Sequence, residues 1–304
     1  MNMAGKQVRR AMTFFIKNYY CYVDPKRFKI LMVAVNVGYS AAQMYRLYVL
    51  FNETIHENKG SPNLCLPEYL SLAAKIGWRS LFLVLKYKKQ SMISVKAFTF
   101  NPVQENTYVL YNERKECCII DPGCYFEEER NILTQFIETQ KLQPVLLLNT
   151  HCHLDHIFGN RFVHEKWKLD LHLHPNEEVI LQFGPQSGKM YNLPFDNYEG
   201  PLQFITPGKS IFLGEDELKV LFTPGHSPGS VSFYAEKEKF VIGGDVLFQG
   251  SIGRTDLPGG DFDTLAESIR KELYVLPGDV VVYSGHGPVT TIGEEKRSNP
   301  FVTA

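Results

Sequence analysis

The sequence has no CxxC pair, and its six cysteines are scattered at positions 21, 65, 117, 118, 124 and 152 of 304 residues. That argues against a metal-thiolate site and against the dense disulfide scaffold of a small secreted domain, and makes a reducing cytoplasm the expected compartment. Apolar runs are also short. The best candidate for the ~20 apolar residues of a spanning helix is Ile30–Phe51, which is interrupted by Asn36, Ser40, Gln43 and Arg46. Lys6, Arg9 and Arg10 precede the apolar stretch AMTFFI, but Lys17 cuts it below signal-peptide length. Net charge is nearly absent at −1.

That neutrality hides an asymmetry. Residues 1–91 hold 14 Lys and Arg against 4 Asp and Glu, whereas residues 92–304 hold 18 against 29. Such a split points to two different objects, a basic extension over 1–91 and an acidic catalytic domain over 92–304. Two readings of the extension stand. With Lys26, Arg27 and Lys29 before Ile30–Phe51, it could lie on an anionic membrane surface as an amphipathic segment. Alternatively Met92 is the functional start and the extension is not part of the working protein.

From Val95 onward the pattern becomes regular. VKAFTF, NTYVLY and ECCIID alternate at strand length, an acid-led helix follows in EEERNILTQFIETQ, and PVLLLNT reads as a buried strand. RFVHEKWK, PNEEVILQF and DTLAESIRKEL suit helices, while LDLHLH, LKVLFT, SVSFYA, KFVIGGD and DVVVYS suit strands. The 17 residues GPQSGKMYNLPFDNYEG read as a long turn-rich excursion of the kind that forms lids. Strand meanders with interspersed helices imply an α/β sandwich of two sheets covered by outer helices.

Histidine is scarce, nine in all, yet three of them and an aspartate fall within THCHLDH, at His151, His153, Asp155 and His156. Packing gains nothing from crowding imidazoles beside a carboxylate, because each must be desolvated. His226 in TPGHSPGS, Asp245 in IGGDVLF and His286 in YSGHGP also follow strands, beside glycine or proline that shape tight loops. Five imidazoles and two carboxylates suffice for two ions, and a set without thiolate suits zinc, with iron and manganese as alternatives. A bridging carboxylate, with Asp245 the candidate, would hold two ions about 3.5 to 4 Å apart. Asp121 in IIDPG is the candidate partner for the outer nitrogen of a ligand histidine. His164, His172 and His174 lie outside the pattern and read as packing or surface residues, and Cys152 as buried and inert.

THCHLDH, TPGHSPGS, GGDVLF and SGHGP, in this order, resemble the metallo-β-lactamase superfamily over residues 93–304. The resemblance implies an αββα sandwich with the site at one edge. It implies a first metal on His151, His153 and His226, a second on Asp155, His156 and His286, and Asp245 bridging both. It also implies hydrolysis by a metal-bridged hydroxide, with Asp155 orienting it. Asp245 stands where the antibiotic-hydrolysing branch with a cysteine ligand differs, and the acidic catalytic part disfavours nucleic acid as a partner. GGDVLFQGSIGRTDLPGGDFDTLAESIRKEL and the ending YSGHGPVTTIGEEKRSNPF are similar to the short glyoxalase II group, which implies an S-D-lactoylglutathione-like thioester or a related ester as substrate. Arg254 in GRTD is the candidate for binding a substrate carboxylate with its planar fork. Lactones pose the same electrophile. The persulfide dioxygenases share the fold and imply, as an alternative, one iron on His151, His226 and Asp245.

Overall fold

The computed structural model describes residues 92–304 and two strands of the N-terminal region, β1 (Tyr20–Asp24) and β2 (Lys29–Val33). The chain divides into two units, residues 1–88 and 89–304. In the first, β1 and β2 pair antiparallel, Tyr20 opposite Val33 and Asp24 opposite Lys29. The expected amphipathic segment therefore begins in a strand, Ile30 to Val33, and the rest of it lies outside the described residues. Among the described residues no helix is long and apolar enough to cross a membrane.

The second unit holds two six-stranded sheets. One carries β3 (Ser94–Phe100), β4 (Glu105–Tyr111), β5 (Glu116–Ile120), β6 (Gln143–Leu148), β7 (Leu171–Leu173) and β8 (Leu202–Phe204) in that spatial order. β3, β4 and β5 meander antiparallel; β6, β7 and β8 are parallel to β5 and to one another. The other carries β9 (Ser210–Leu213), β10 (Asp216–Phe222), β11 (Val231–Ala235), β12 (Phe240–Gly244), β15 (Val281–Ser284) and β16 (Thr290–Thr291). A separate hairpin pairs β13 (Leu247–Phe248) with β14 (Ser251–Ile252).

Strand side chains alternate between faces, and here both faces are covered. Leu110, Ile120 and Leu148 of the first sheet meet Leu218, Val220, Phe233 and Ile242 of the second in one central cluster. Their sequence neighbours Val109, Ile119 and Leu147 face outward against Leu133 and Ile137 of α1 (Glu127–Thr139) and Val163 of α3 (Asn160–Trp167). On the far side Tyr234, Val241 and Val282 pack against Leu265 and Ala266 of α5 (Phe262–Ser268) and Ile292 of α6 (Ile292–Ser298). This alternation makes four layers, αββα, and explains why β5, β11 and β12 read as near-continuous apolar runs rather than as polar-apolar alternation.

One expectation is overturned. The helix after β7 does not stop at Phe183; α4 runs Glu178–Met190 with Pro185 inside it, so only ten of the seventeen residues expected in the excursion, 191–200, lie outside the helix. Gly184 and Gly188 are contact points rather than breakers. A Cβ on Gly184 would meet Ile157 at 2.9 Å, and one on Gly188 the Leu193 carbonyl oxygen at 2.6 Å. Tertiary packing has overridden local propensity.

Candidate metal centre

β6 ends at Leu148, and the chain leaves the sheet in extended form. His151 and His153 then share one side, and Cys152 points the other way into the helix-side core. The four-residue helix α2 (Leu154–Ile157), with His153 at its N-cap, turns Asp155 and His156 toward the same space. From the second sheet come His226 after β10, Asp245 after β12 and His286 after β15. Gly285 lets the last loop approach, since a Cβ there would fall on Asp245 Oδ1. Cross-links lock the two sheet ends together: the Asn106 amide donates to the Gly285 carbonyl at 2.7 Å, and the Tyr108 hydroxyl donates to the Ser284 carbonyl at 2.6 Å.

All seven expected side chains converge. The nearest ligand atoms of His151, His153 and His226 lie within 4.8 Å of one another, as do those of Asp155, His156 and His286. Asp245 lies between the groups, Oδ2 at 3.5 Å from the Nε2 atoms of His226 and His286 and Oδ1 at 3.5 Å from His156 Nε2. Hydrogen bonds on the outer nitrogens fix the tautomers. His226 Nδ1 donates to the Arg254 carbonyl at 2.7 Å, and His286 Nδ1 faces the Gln104 carbonyl at 3.2 Å. A carbonyl only accepts, so each Nδ1 carries a proton and Nε2 points inward, that of His286 to within 3.0 Å of Asp155 Oδ2. The Thr150 hydroxyl donates to Asp121 Oδ2 at 2.5 Å, so it accepts from His151 Nδ1 at 3.1 Å. His153 alone presents Nδ1, 2.8 Å from His226 Nε2.

Asp121 supports this arrangement. Its carboxylate accepts from the Thr150 amide at 2.7 Å, from Asn149 Nδ2 at 3.1 Å and from Thr150, and lies 3.1 Å from His156 Nδ1. It sits within 4.8 Å of His151 and His156 as well, but its oxygens are already taken by donors, which places it to orient those two imidazoles. Its φ of 48° is left-handed, a conformation aspartate tolerates better than most residues.

Three buried atoms in this cluster have no hydrogen-bond partner: His151 Nε2, His156 Nε2 and Asp245 Oδ1. An orphaned buried polar atom costs about 1–3 kcal/mol, and three facing one another would be hard to retain without a cation between them. The donor set therefore fits divalent metal. The electrostatics divide in two. Burial and neighbouring imidazoles hold His151 well below its ordinary value and His153 at about 3, and burial lowers His226. Burial also opposes charge on His156 and His286, yet Asp155 and Asp245 overcome it and raise both. The two aspartates are lowered in turn, chiefly by His156 against the effect of burial.

Arg254 lies at the rim. Its fork makes two bonds to Asp256, 2.6 and 2.7 Å, and its side chain is 58% exposed. Among the other histidines, His164 Nδ1 bonds the Leu169 carbonyl, His172 lies against the Leu147 carbonyl, and His174 accepts from the Asn176 amide. Two buried carboxyls behind the ligands escape sequence reading. Glu105 accepts from Thr107 and lies 3.9 Å from His156 Nδ1, and burial pushes its carboxyl well above the ordinary value. Glu177 lies beneath the first histidine group. Their only sequence signal is a glutamate beside chain that turns out buried.

Comparison with known proteins agrees with this geometry. The family model described as "Metallo-beta-lactamase superfamily" matches residues 100–286. The chain is 37% identical to hydroxyacylglutathione hydrolase GloC of Haemophilus influenzae over 215 residues, 70% of this chain and 97% of that protein. It is similar to the solved BLEG-1 B3 metallo-beta-lactamase, with 41% identity, a TM-score of 0.65 and coverage of 69% of this chain and 100% of that one. It is also similar to TTHA1623 in a di-iron-bound form, with 36% identity, a TM-score of 0.62 and coverage of 68% and 100%. The histidine and aspartate cluster at the sheet ends and the family match across it lead to one conclusion: the chain belongs to the metallo-beta-lactamase superfamily.

Proposed function

We propose that the chain hydrolyses acyl thioesters of the hydroxyacylglutathione type, using two zinc ions on His151, His153, Asp155, His156, His226, Asp245 and His286. The observation that carries the metal reading is the convergence of unpartnered His151 Nε2, His156 Nε2 and Asp245 Oδ1. The relative named GloC supports the substrate class. Divalent ions held there would supply Lewis acidity, which acidifies water and polarises an acyl carbonyl.

The protein's own groups do the rest. Asp155, kept ionised by His156 and His286, orients the attacking water by accepting a hydrogen bond from it. Among the described residues no thiol competes as nucleophile: Cys117, Cys118, Cys124 and Cys152 are all buried, and burial pushes the Cys152 thiol well above the ordinary value. Thiolate is a good leaving group, so the reaction needs little acid assistance. Arg254 holds a substrate carboxylate. Its present partner is an exposed aspartate, and such a pair is worth only about 0–1 kcal/mol, so exchanging one carboxylate for another costs little.

Iron in place of zinc is the second reading of the metal, favoured by the di-iron form of the similar protein. A single iron on His151, His226 and Asp245 is less well supported, since His153, His156 and His286 would face the same space without a role. A β-lactam is also an acyl electrophile, and the likeness to a solved metallo-beta-lactamase makes it the control substrate. The test is elemental analysis of protein purified without added metal, with turnover of S-D-lactoylglutathione, a lactone and a β-lactam. Nearly two zinc per chain with thioester cleavage is expected. One iron, with oxygen uptake on glutathione persulfide, would overturn the proposal.

A further inference from the structure

The first three-histidine group is drawn from two loops 75 positions apart in sequence, which meet at the ligand positions ring to ring, His153 Nδ1 lying 2.8 Å from His226 Nε2. One buried side chain bridges them. Glu177, fully buried at the end of the 3-10 turn Pro175–Glu177, accepts from the Cys152 amide at 2.7 Å through Oε2. Through Oε1 it accepts from the Ser227 hydroxyl at 2.6 Å and the Gly229 amide at 2.7 Å. Cys152 stands between His151 and His153, and Ser227 follows His226. The fit is close: a Cβ on Gly229 would meet Glu177 Cγ at 2.8 Å. Three donors on two oxygens match a carboxylate, which only accepts, and Glu177 stands at the N-terminal end of α4, where the helix dipole favours negative charge.

We propose that Glu177 is a positioning residue that sets the spacing of His151, His153 and His226, and so tunes the first metal position without touching metal or substrate. The second group, Asp155, His156 and His286, is held by Asp121 and by the Gln104 carbonyl and makes no use of Glu177. Loss of the clamp therefore acts on one position and spares the other. In E177Q an amide NH2 group would face either the Cys152 amide or the Ser227 and Gly229 donors, so at least one loop is released by donor-donor repulsion.

The proposal rests on reading these histidines as metal ligands, and the experiment separates the two. Metal-free wild type, E177Q and S227A are titrated with zinc against a chromophoric chelator, and with cobalt(II) to follow the ligand-field spectrum, with Tm recorded in parallel. Wild type taking up two ions in two resolved steps is expected. In E177Q one step weakens about 10- to 100-fold, the range for partners that orient ligands, while the other stays within about threefold. E295Q serves as control. Glu295 is likewise buried and accepts from Thr290, Asn299 and the Gly250 amide, so this variant lowers Tm without separating the two steps. Should E177Q not fold, S227A, which leaves the Cys152 and Gly229 bonds, weakens the same step by a smaller factor. Two steps that stay unchanged, or that weaken equally, in whichever of these variants folds would overturn the proposal. Wild type that binds no metal would instead overturn the metal reading itself.

Discussion

Asp121 Oδ2 lies 3.1 Å from His156 Nδ1, directly behind a ring whose other nitrogen has no partner. The carboxylate thus decides which way His156 turns its Nε2, and through Thr150 it decides the same for His151.

Replacing Asp121 by Asn keeps the shape but puts an NH2 group against a donor. Zinc affinity is expected to fall about 10- to 100-fold, and Asp121→Ala further, since the Thr150 amide and Asn149 then lose a buried acceptor. Isothermal zinc titration of both variants checks this; affinities equal to wild type would show that the His156 tautomer is set elsewhere.

Gly285→Ala changes no charge and removes no hydrogen bond. Its new methyl would overlap Asp245 Oδ1 and approach His156 Cε1 to 2.8 Å, an overpacking that costs about 1–3 kcal/mol in a dense interior. A lowered Tm with loss of bound metal is expected, read by calorimetry and elemental analysis. A variant that is stable and fully loaded would mean that the loop carrying His286 is more yielding than its contacts imply.

Metal-free protein should be most stable near pH 6.5. His151, His153 and His226 have lowered values, His153 about 3 against an ordinary 6.5, so they take up protons on unfolding below pH 6.5. Stability therefore rises with pH through that window. Glu105 and Glu177, raised by burial, oppose the rise but are outnumbered. Above pH 6.5 the sign reverses, because His156 and His286 are raised and their contribution is lost as pH climbs through their folded values. Thermal melts across about pH 5 to 9, with chelator and with zinc, check this; zinc binding releases protons and should remove the alkaline fall. A chelated sample whose Tm climbs steadily throughout would contradict the assignment.

Arg254→Ala should raise KM for a carboxylate-bearing thioester about tenfold, equivalent to about 1.4 kcal/mol, with kcat nearly unchanged. Asp256→Ala should do the reverse and lower KM, since it releases the fork. Steady-state kinetics on both variants decide; equal effects in the same direction would mark the pair as a structural bracket for the carbonyl that orients His226.

The seven converging side chains were legible in the sequence because each is a histidine or aspartate in a short loop after an apolar strand, and such residues have few other reasons to recur there. Asp121 was legible for the same reason. Glu105 and Glu177 were not, because a glutamate reads as surface until burial is known, and burial depends on which loops meet. α4 was misjudged at Gly184 and Pro185, residues that normally end helices; close approach by Ile157, Leu193 and Phe195 supplies the reason for small residues there. The sequence placed Arg254 near the site but gave no hint of the carbonyl by which it holds His226, since backbone contacts leave no mark in residue type.

The order in which the ligands leave the ribosome has a consequence of its own. The first histidine group is complete once residue 226 has been made, and the second only with residue 286, about 130 positions after Asp155. Pairings this distant in the chain form late and slowly. A nascent chain therefore contains the residues of the first group before those of the second are complete, and the second waits for β15, the strand that pairs parallel with β12.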